Sequence, residues 1–122
     1  MKYDSVDKRR ALRVVFPFTT HIYIFGKGPI STYTENISER GIRVIIREEL
    51  KISSKVDLEI YIHDKPVCCK ACIVWVKRKE TEYIDGEVFF DIGMEFTKIN
   101  QDDTLVIRER VKELEKSSQH KE

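Results

Sequence analysis

The feature that most constrains this chain is a succession of short β-like runs, separated by turn signals and followed by a single helical stripe. Residues 14–25 are rich in β-branched and aromatic side chains. Gly26-Lys27-Gly28-Pro29 is turn material, and a return strand follows over 30–35. A second break falls at 36–41, and a further strand is expected over 42–47. After a polar connection at 48–54, residues 56–62 alternate apolar with mostly acidic side chains. His63-Asp64-Lys65-Pro66 reads as a hairpin turn. The next strand, 67–77, places Cys69, Ala71, Ile73 and Trp75 on one face, where the tryptophan reads as core. Residues 78–85 are expected to form a charged loop, and 86–96 the last strand. Pro17 cannot donate to a ladder and implies an edge or bulge early in the first strand. Many short strands joined by tight turns predict an antiparallel barrel or sandwich.

The C-terminal region has a different period. Asn100 suits an N-cap, Asp102 and Asp103 suit a first turn, and Ile107, Val111 and Leu114 form one apolar stripe. Glu109 with Glu113 and Lys112 with Lys116 set like charges four residues apart, so packing must hold this helix. The expected organisation is one domain: a flexible arm at 1–13, a β-barrel at 14–99 and a helix at 100–117.

Composition removes several function classes. The net charge of +1 gives no global field to attract DNA, RNA or an acidic membrane, so any anion site must be local. The start lacks a signal-like apolar run and no stretch reaches membrane-spanning length, so a cytoplasmic protein without membrane insertion is expected. Cys68, Cys69 and Cys72 are too few and too bunched for a disulfide framework. Cys69 and Cys72 lie three apart on a strand and point to opposite faces, which argues against a shared metal. His21, His63 and His120 are dispersed, and no nucleophile sits beside a base in a recognised motif, so no catalytic residues are expected. The aromatics Phe16, Phe18, Tyr23 and Phe25 include a same-face spacing that reads as core rather than as a base-stacking platform.

Two short motifs carry the chemistry. Arg9-Arg10-Ala11-Leu12-Arg13 is an R-x-x-x-R, preceded by Lys8, and Asn36-Ile37-Ser38-Glu39-Arg40-Gly41 is an N-x-S-x-x-G. If the turn at 26–29 closes a hairpin, antiparallel pairing brings Arg13 beside Gly41, and the arm carrying Arg9 can fold over that end. In this order and in a chain of this size, the pair resembles the signature of the PilZ domain, a bacterial receptor module for cyclic di-GMP. The similarity covers roughly residues 8–115, a normal single-domain length. Val74-Trp75-Val76 looks like the family's V-x-W region, with Ile73 giving I-x-W here. Asp91-Ile92-Gly93-Met94-Glu95-Phe96 looks like its closing G-x-x-F strand.

The chemistry suits such a ligand. An arginine fork can donate to guanine O6 and N7, stack on a base, or hold a phosphate. Asn36 can accept from a guanine edge and Ser38 can donate or accept. Gly41 would allow a positive φ or a close backbone approach. The resemblance implies a six- or seven-stranded antiparallel barrel with a packed C-terminal helix. It implies cyclic di-GMP held by Arg9, Arg10, Arg13, Asn36, Ser38 and Gly41, with no other cofactor. The implied mechanism is ordering of the arm on binding, which presents a new surface to a downstream protein; the receptor is expected to be a monomer or weak homodimer. The competing expectation is an interaction adaptor of the same fold that binds no nucleotide.

Overall fold

In the computed structural model, residues 12–80 and 86–119 are described. Seven strands precede one helix: β1 (Arg13–Val14), β2 (Thr19–Tyr23), β3 (Ile30–Ser38), β4 (Gly41–Ile46), β5 (Lys55–Ile60), β6 (Val67–Glu80), β7 (Val88–Lys98) and α1 (Gln101–Gln119). All strand pairings are antiparallel, in the order β1-β3-β2-β5-β6-β7-β4. A further β3–β4 pairing closes six strands into a barrel and leaves β1 outside it as an extra strand on β3.

The run at 14–25 is two strands rather than one. Pro17 interrupts the ladder, and the side chain of buried Thr34 replaces it. The Thr34 hydroxyl donates to the Phe16 carbonyl (2.6 Å) and accepts from the Phe18 amide (3.0 Å). The break expected at 36–41 is also smaller. Asn36 and Ser38 remain in β3, and Glu39-Arg40 alone turns the chain into β4. At the far end, β6 continues through Glu80, correcting the loop expected from residue 78. Its polar residues still pair with β7, Lys77 with Asp91 and Lys79 with Phe89. Residues 81–85 lie outside the described residues.

Inward positions of the strands, among them Ile22, Ile37, Ile42, Val44, Leu58, Ile60, Ile73 and Ile92, form the core. Ile107 and Val111 of α1 complete it, with Leu114 packed at its margin. Each fully buried aliphatic side chain contributes about 2 kcal/mol, which outweighs the few tenths of a kcal/mol lost to like-charge neighbours on the outer helix face. Asn100 caps the helix, its side-chain oxygen accepting the Asp103 amide at 2.8 Å. Arg108 then ties α1 to the β3–β4 turn through Glu39 (2.5 Å). Among the described residues, no helix is long and apolar enough to cross a membrane.

Candidate functional site

The site begins with register. Arg13 pairs with Ser38 across β1 and β3, and Ser38 pairs with Gly41 across the hairpin. The Arg13 guanidinium donates through Nη1 to Asn36 Oδ1 and through Nη2 to Ser38 Oγ (3.2 Å). Ser38 is 1% exposed, and its Oγ also accepts the Arg40 amide (3.0 Å), which fixes the turn. Both side chains that hold Arg13 are neutral, so neither cancels its charge. Partial desolvation lowers the Arg13 pKa from its ordinary value, although a guanidinium remains charged at any physiological pH.

A row of directly paired residues crosses four neighbouring strands: Asn36 of β3, Arg43 of β4, Gly93 of β7 and Trp75 of β6. Paired residues on antiparallel strands share a face, so this row lies together on the outside of the barrel. Two bulges produce the alignment, one between Thr34 and Asn36 and one between Ile73 and Trp75. A bulge adds one residue to its strand and resets the alternation. This corrects the reading of Trp75 as core: Ile73 is buried, while Trp75 is half-buried on the outer face. Gly93 provides the space. A Cβ there would lie 2.2 Å from the indole Nε1, so the ring rests directly over the glycine. Lys77 Nζ sits 5.5 Å from the indole centroid.

The result is a cleft of about 350 Å³ lined by Arg13, Asn36, Arg40, Arg43, Trp75 and Gly93, together with Ile42, Val74, Met94 and Glu95. Arg43 is locked to Asp91 by two hydrogen bonds, Nε to Oδ1 (2.7 Å) and Nη2 to Oδ2 (2.9 Å). Asp91 is 3% exposed, and Lys79 approaches its other side at 3.2 Å. The Arg43 hydrogen bonds, and after them Lys79, hold the Asp91 carboxyl below the usual carboxylate range; the same bonds raise the Arg43 pKa. Arg43 is therefore a fixed wall, whereas Arg13 and exposed Arg40 bring charge to the opening. This set can hold an anion beside a planar ring, with Asn36 and Ser38 supplying directional polar contacts.

Of the residues expected at the site, Arg13, Asn36 and Ser38 meet. Gly41 lies at the same hairpin, but its own constraint is different: a Cβ would fall 2.1 Å from the Met94 carbonyl oxygen. Gly41 thus permits close packing of β4 on β7, and its φ is not positive. Arg9 and Arg10 lie outside the described residues. Arg40, Arg43 and the outward Trp75 were missed in the sequence. Arg43 could have been found from the alternation Ile42, Val44, Ile46 inward, which turns it outward beside the motif.

Elsewhere, Cys68, Cys69 and Cys72 are free thiols, and burial pushes buried Cys69 up to about 12. Among the described residues no cluster of three or more His, Cys, Asp or Glu could hold a metal ion. A larger groove of about 480 Å³ lies near Tyr23, Asp57, Glu59, Cys68 and Lys98.

Several solved structures share this architecture. The inhibitor of motility MotI from Bacillus subtilis aligns with a TM-score of 0.74 at 16% identity, covering 90% of this chain and 52% of that one. MrkH of K. pneumonia aligns at 0.78 and 14% identity, covering 93% of this chain and 51% of that one. The chain thus spans about half the length of these two proteins. The PilZ domain of YcgR from Escherichia coli, solved with c-di-GMP, aligns at 0.72 and 13% identity, covering 93% of this chain and 96% of that one. Identities this low establish the shared fold alone. No curated protein matches the sequence. The family model for the PilZ domain matches residues 7–114, a span that takes in both motifs, the barrel and most of α1, and the chain belongs to the PilZ domain family.

Proposed function

We propose that this chain is a receptor for cyclic di-GMP that passes the level of this messenger to a downstream protein. The observation that carries the reading is the Arg13 guanidinium poised on neutral Asn36 and Ser38 at the rim of a cleft. Solved complexes of YcgR, MrkH and the Borreliella burgdorferi protein PlzA with c-di-GMP support the choice of ligand. In this reading Arg13 swings from its neutral partners onto a phosphate or guanine of the nucleotide. Asn36 Oδ1 then accepts from a guanine N–H, and Ser38 stays with the sugar and turn. Arg9 and Arg10 close from the arm, and Gly41 keeps the hairpin tight against β7. Exchange of neutral partners for an anionic one strengthens each arginine bond, which supplies the differential affinity a switch requires. β1 already holds Arg13 in the ligand-free chain, so the part of the expected arm that orders on closure is the stretch ahead of β1, and its ordering alters the surface a partner meets. The role is that of a receptor without catalysis.

Calorimetric titration with cyclic di-GMP tests the proposal. Wild type binds, and Arg9→Ala and Arg13→Ala each abolish binding while leaving the fold intact. A folded wild type that binds no nucleotide would overturn it and leave the interaction adaptor as the working reading. Amide exchange over residues 5–15 tests arm closure separately, since closure requires new protection at saturating ligand.

A further inference from the structure

The outer edge of β6 is only partly used. Toward β5, β6 is paired from Val67 to Cys72, where Cys72 meets Lys55. One more position is satisfied from the connection that precedes β5. The Ser53 amide donates to the Ile73 carbonyl (2.8 Å), and the Ile73 amide donates to Ser54 (3.0 Å). From Val74 to Glu80 the strand continues for seven residues, and among the described residues only β7 pairs with it, on the other side. Among the described residues, these seven therefore leave alternate amides and carbonyls on the β5 side without a strand partner.

The edge has a distinct chemistry. Its sequence is Val74-Trp75-Val76-Lys77-Arg78-Lys79-Glu80, three consecutive cations against one carboxylate. Lys77, Arg78, Lys79 and Glu80 are all exposed. Glu80 is occupied by Arg78 at 2.9 Å, and Lys79 leans on Asp91 at 3.2 Å. Val74 and Val76 supply β-branched positions that favour strand pairing. A second copy of this chain is a poor occupant. Antiparallel self-pairing centred on Lys77 would set Lys77 opposite Lys77 and bring six cations together against two carboxylates, and directly opposed like charges destabilise a sheet. The same charges that guard the edge against self-association favour an acidic strand.

We propose that the β6 edge from Val74 to Glu80 is a docking site for an extended acidic segment of a partner protein, which adds as a strand to the sheet. Main-chain hydrogen bonds supply the affinity and the cation run selects the partner's charge. The proposal goes beyond the receptor reading and needs no nucleotide, so it is tested in the nucleotide-free protein and stands or falls separately from that reading.

The probe is a synthetic peptide alternating glutamate with valine, compared with its lysine–valine counterpart. Trp75 is the sole tryptophan and lies in the edge strand, so its fluorescence reports binding directly. Amide exchange then locates the peptide. The expected result is saturable binding of the glutamate peptide, weakened by salt, with protection of amides within 74–80 by roughly tenfold or more. Arg78→Glu should weaken that binding by roughly tenfold, the equivalent of about 1.4 kcal/mol, and improve binding of the lysine peptide. Arg78 is exposed and among the described residues pairs with Glu80 alone, so the variant is expected to fold. No protection at saturating peptide, equal binding of both peptides, or protection confined to other strands would overturn the proposal.

Discussion

Two of the clefts on this barrel contrast in how their charges are answered, and the larger of the two is the less eloquent. The groove of about 480 Å³ has charged groups that already answer one another: Lys70 meets Asp57 at 2.7 Å, and Glu59 takes hydrogen bonds from Tyr23 (2.9 Å) and His21 (3.1 Å). The cleft of about 350 Å³ leaves Arg13 on two neutral partners, with Arg40 beside it and Arg43 braced by a buried carboxylate. Room alone therefore does not mark a ligand site here. What separates the smaller cleft is that, among the described residues, Arg13 is held by neutral partners, so an anion arriving there would gain a charge-assisted bond without first breaking an ion pair.

The two clefts should differ most at the arginine. Arg13→Ala should weaken cyclic di-GMP binding by roughly 100-fold or more, since the charge-assisted bonding of the guanidinium to the nucleotide is lost. Tyr23→Phe and Lys98→Ala in the larger groove should leave the same titration unchanged. Equal losses on both sides would erase the distinction between the clefts.

Stability tests sharpen it. Gly41→Ala forces a methyl group against the Met94 carbonyl, which is backbone and cannot rotate away. A cost of about 3 kcal/mol is expected in urea unfolding. A near-neutral result would show that β4 and β7 can separate at the hairpin.

The two acidic anchors should differ next. Asp91→Asn breaks the contact to Arg43 and Lys79 and should cost about 1–3 kcal/mol. The pH dependence has a definite sign. The folded-state Asp91 carboxyl is held below its unfolded value, first by Arg43 and then by Lys79. Its stabilisation is complete above the unfolded aspartate value of about 3.9 and is lost as pH falls through the lower folded value. Asp91→Asn should remove that component of acid sensitivity from the unfolding midpoint. The smallest effect is expected at Glu59→Gln. Glu59 is also held low, by His21 and then Tyr23, but from a solvated position, so no measurable change in the unfolding midpoint should appear.

Much of this architecture was written in periodicity and punctuation. The alternation through β5, the turn at Gly26 and the stripe Ile107, Val111, Leu114 each have a local cause that a reader of residues can follow. So did the meeting of Arg13 with the N-x-S-x-x-G hairpin, because one turn and antiparallel pairing suffice to predict it. What escaped notice depends on bulges and closure. Nothing in Ile73-Val74-Trp75 announces the extra residue that turns the indole outward, and nothing near Glu35 announces the one that aligns Asn36 with Arg43. Those are decided by barrel curvature, a property of all the strands together. Likewise the charged tail of β6 looked like loop, because pairing with β7 compensates for residues that favour solvent.

The placement of β1 bears on how such a protein can change over generations. β1 stands outside the closed ring, and the stretch that follows it is fastened by the Thr34 hydroxyl instead of by a ladder. The barrel's own hydrogen-bond circuit is complete without β1. In the proposed receptor, substitutions at Arg13 would tune, or erase, responsiveness at the cleft while leaving the closure of the ring untouched. Selection on the sensing of such a receptor and on the foldability of its ring would then act on different residues, with the boundary between them falling at Pro17.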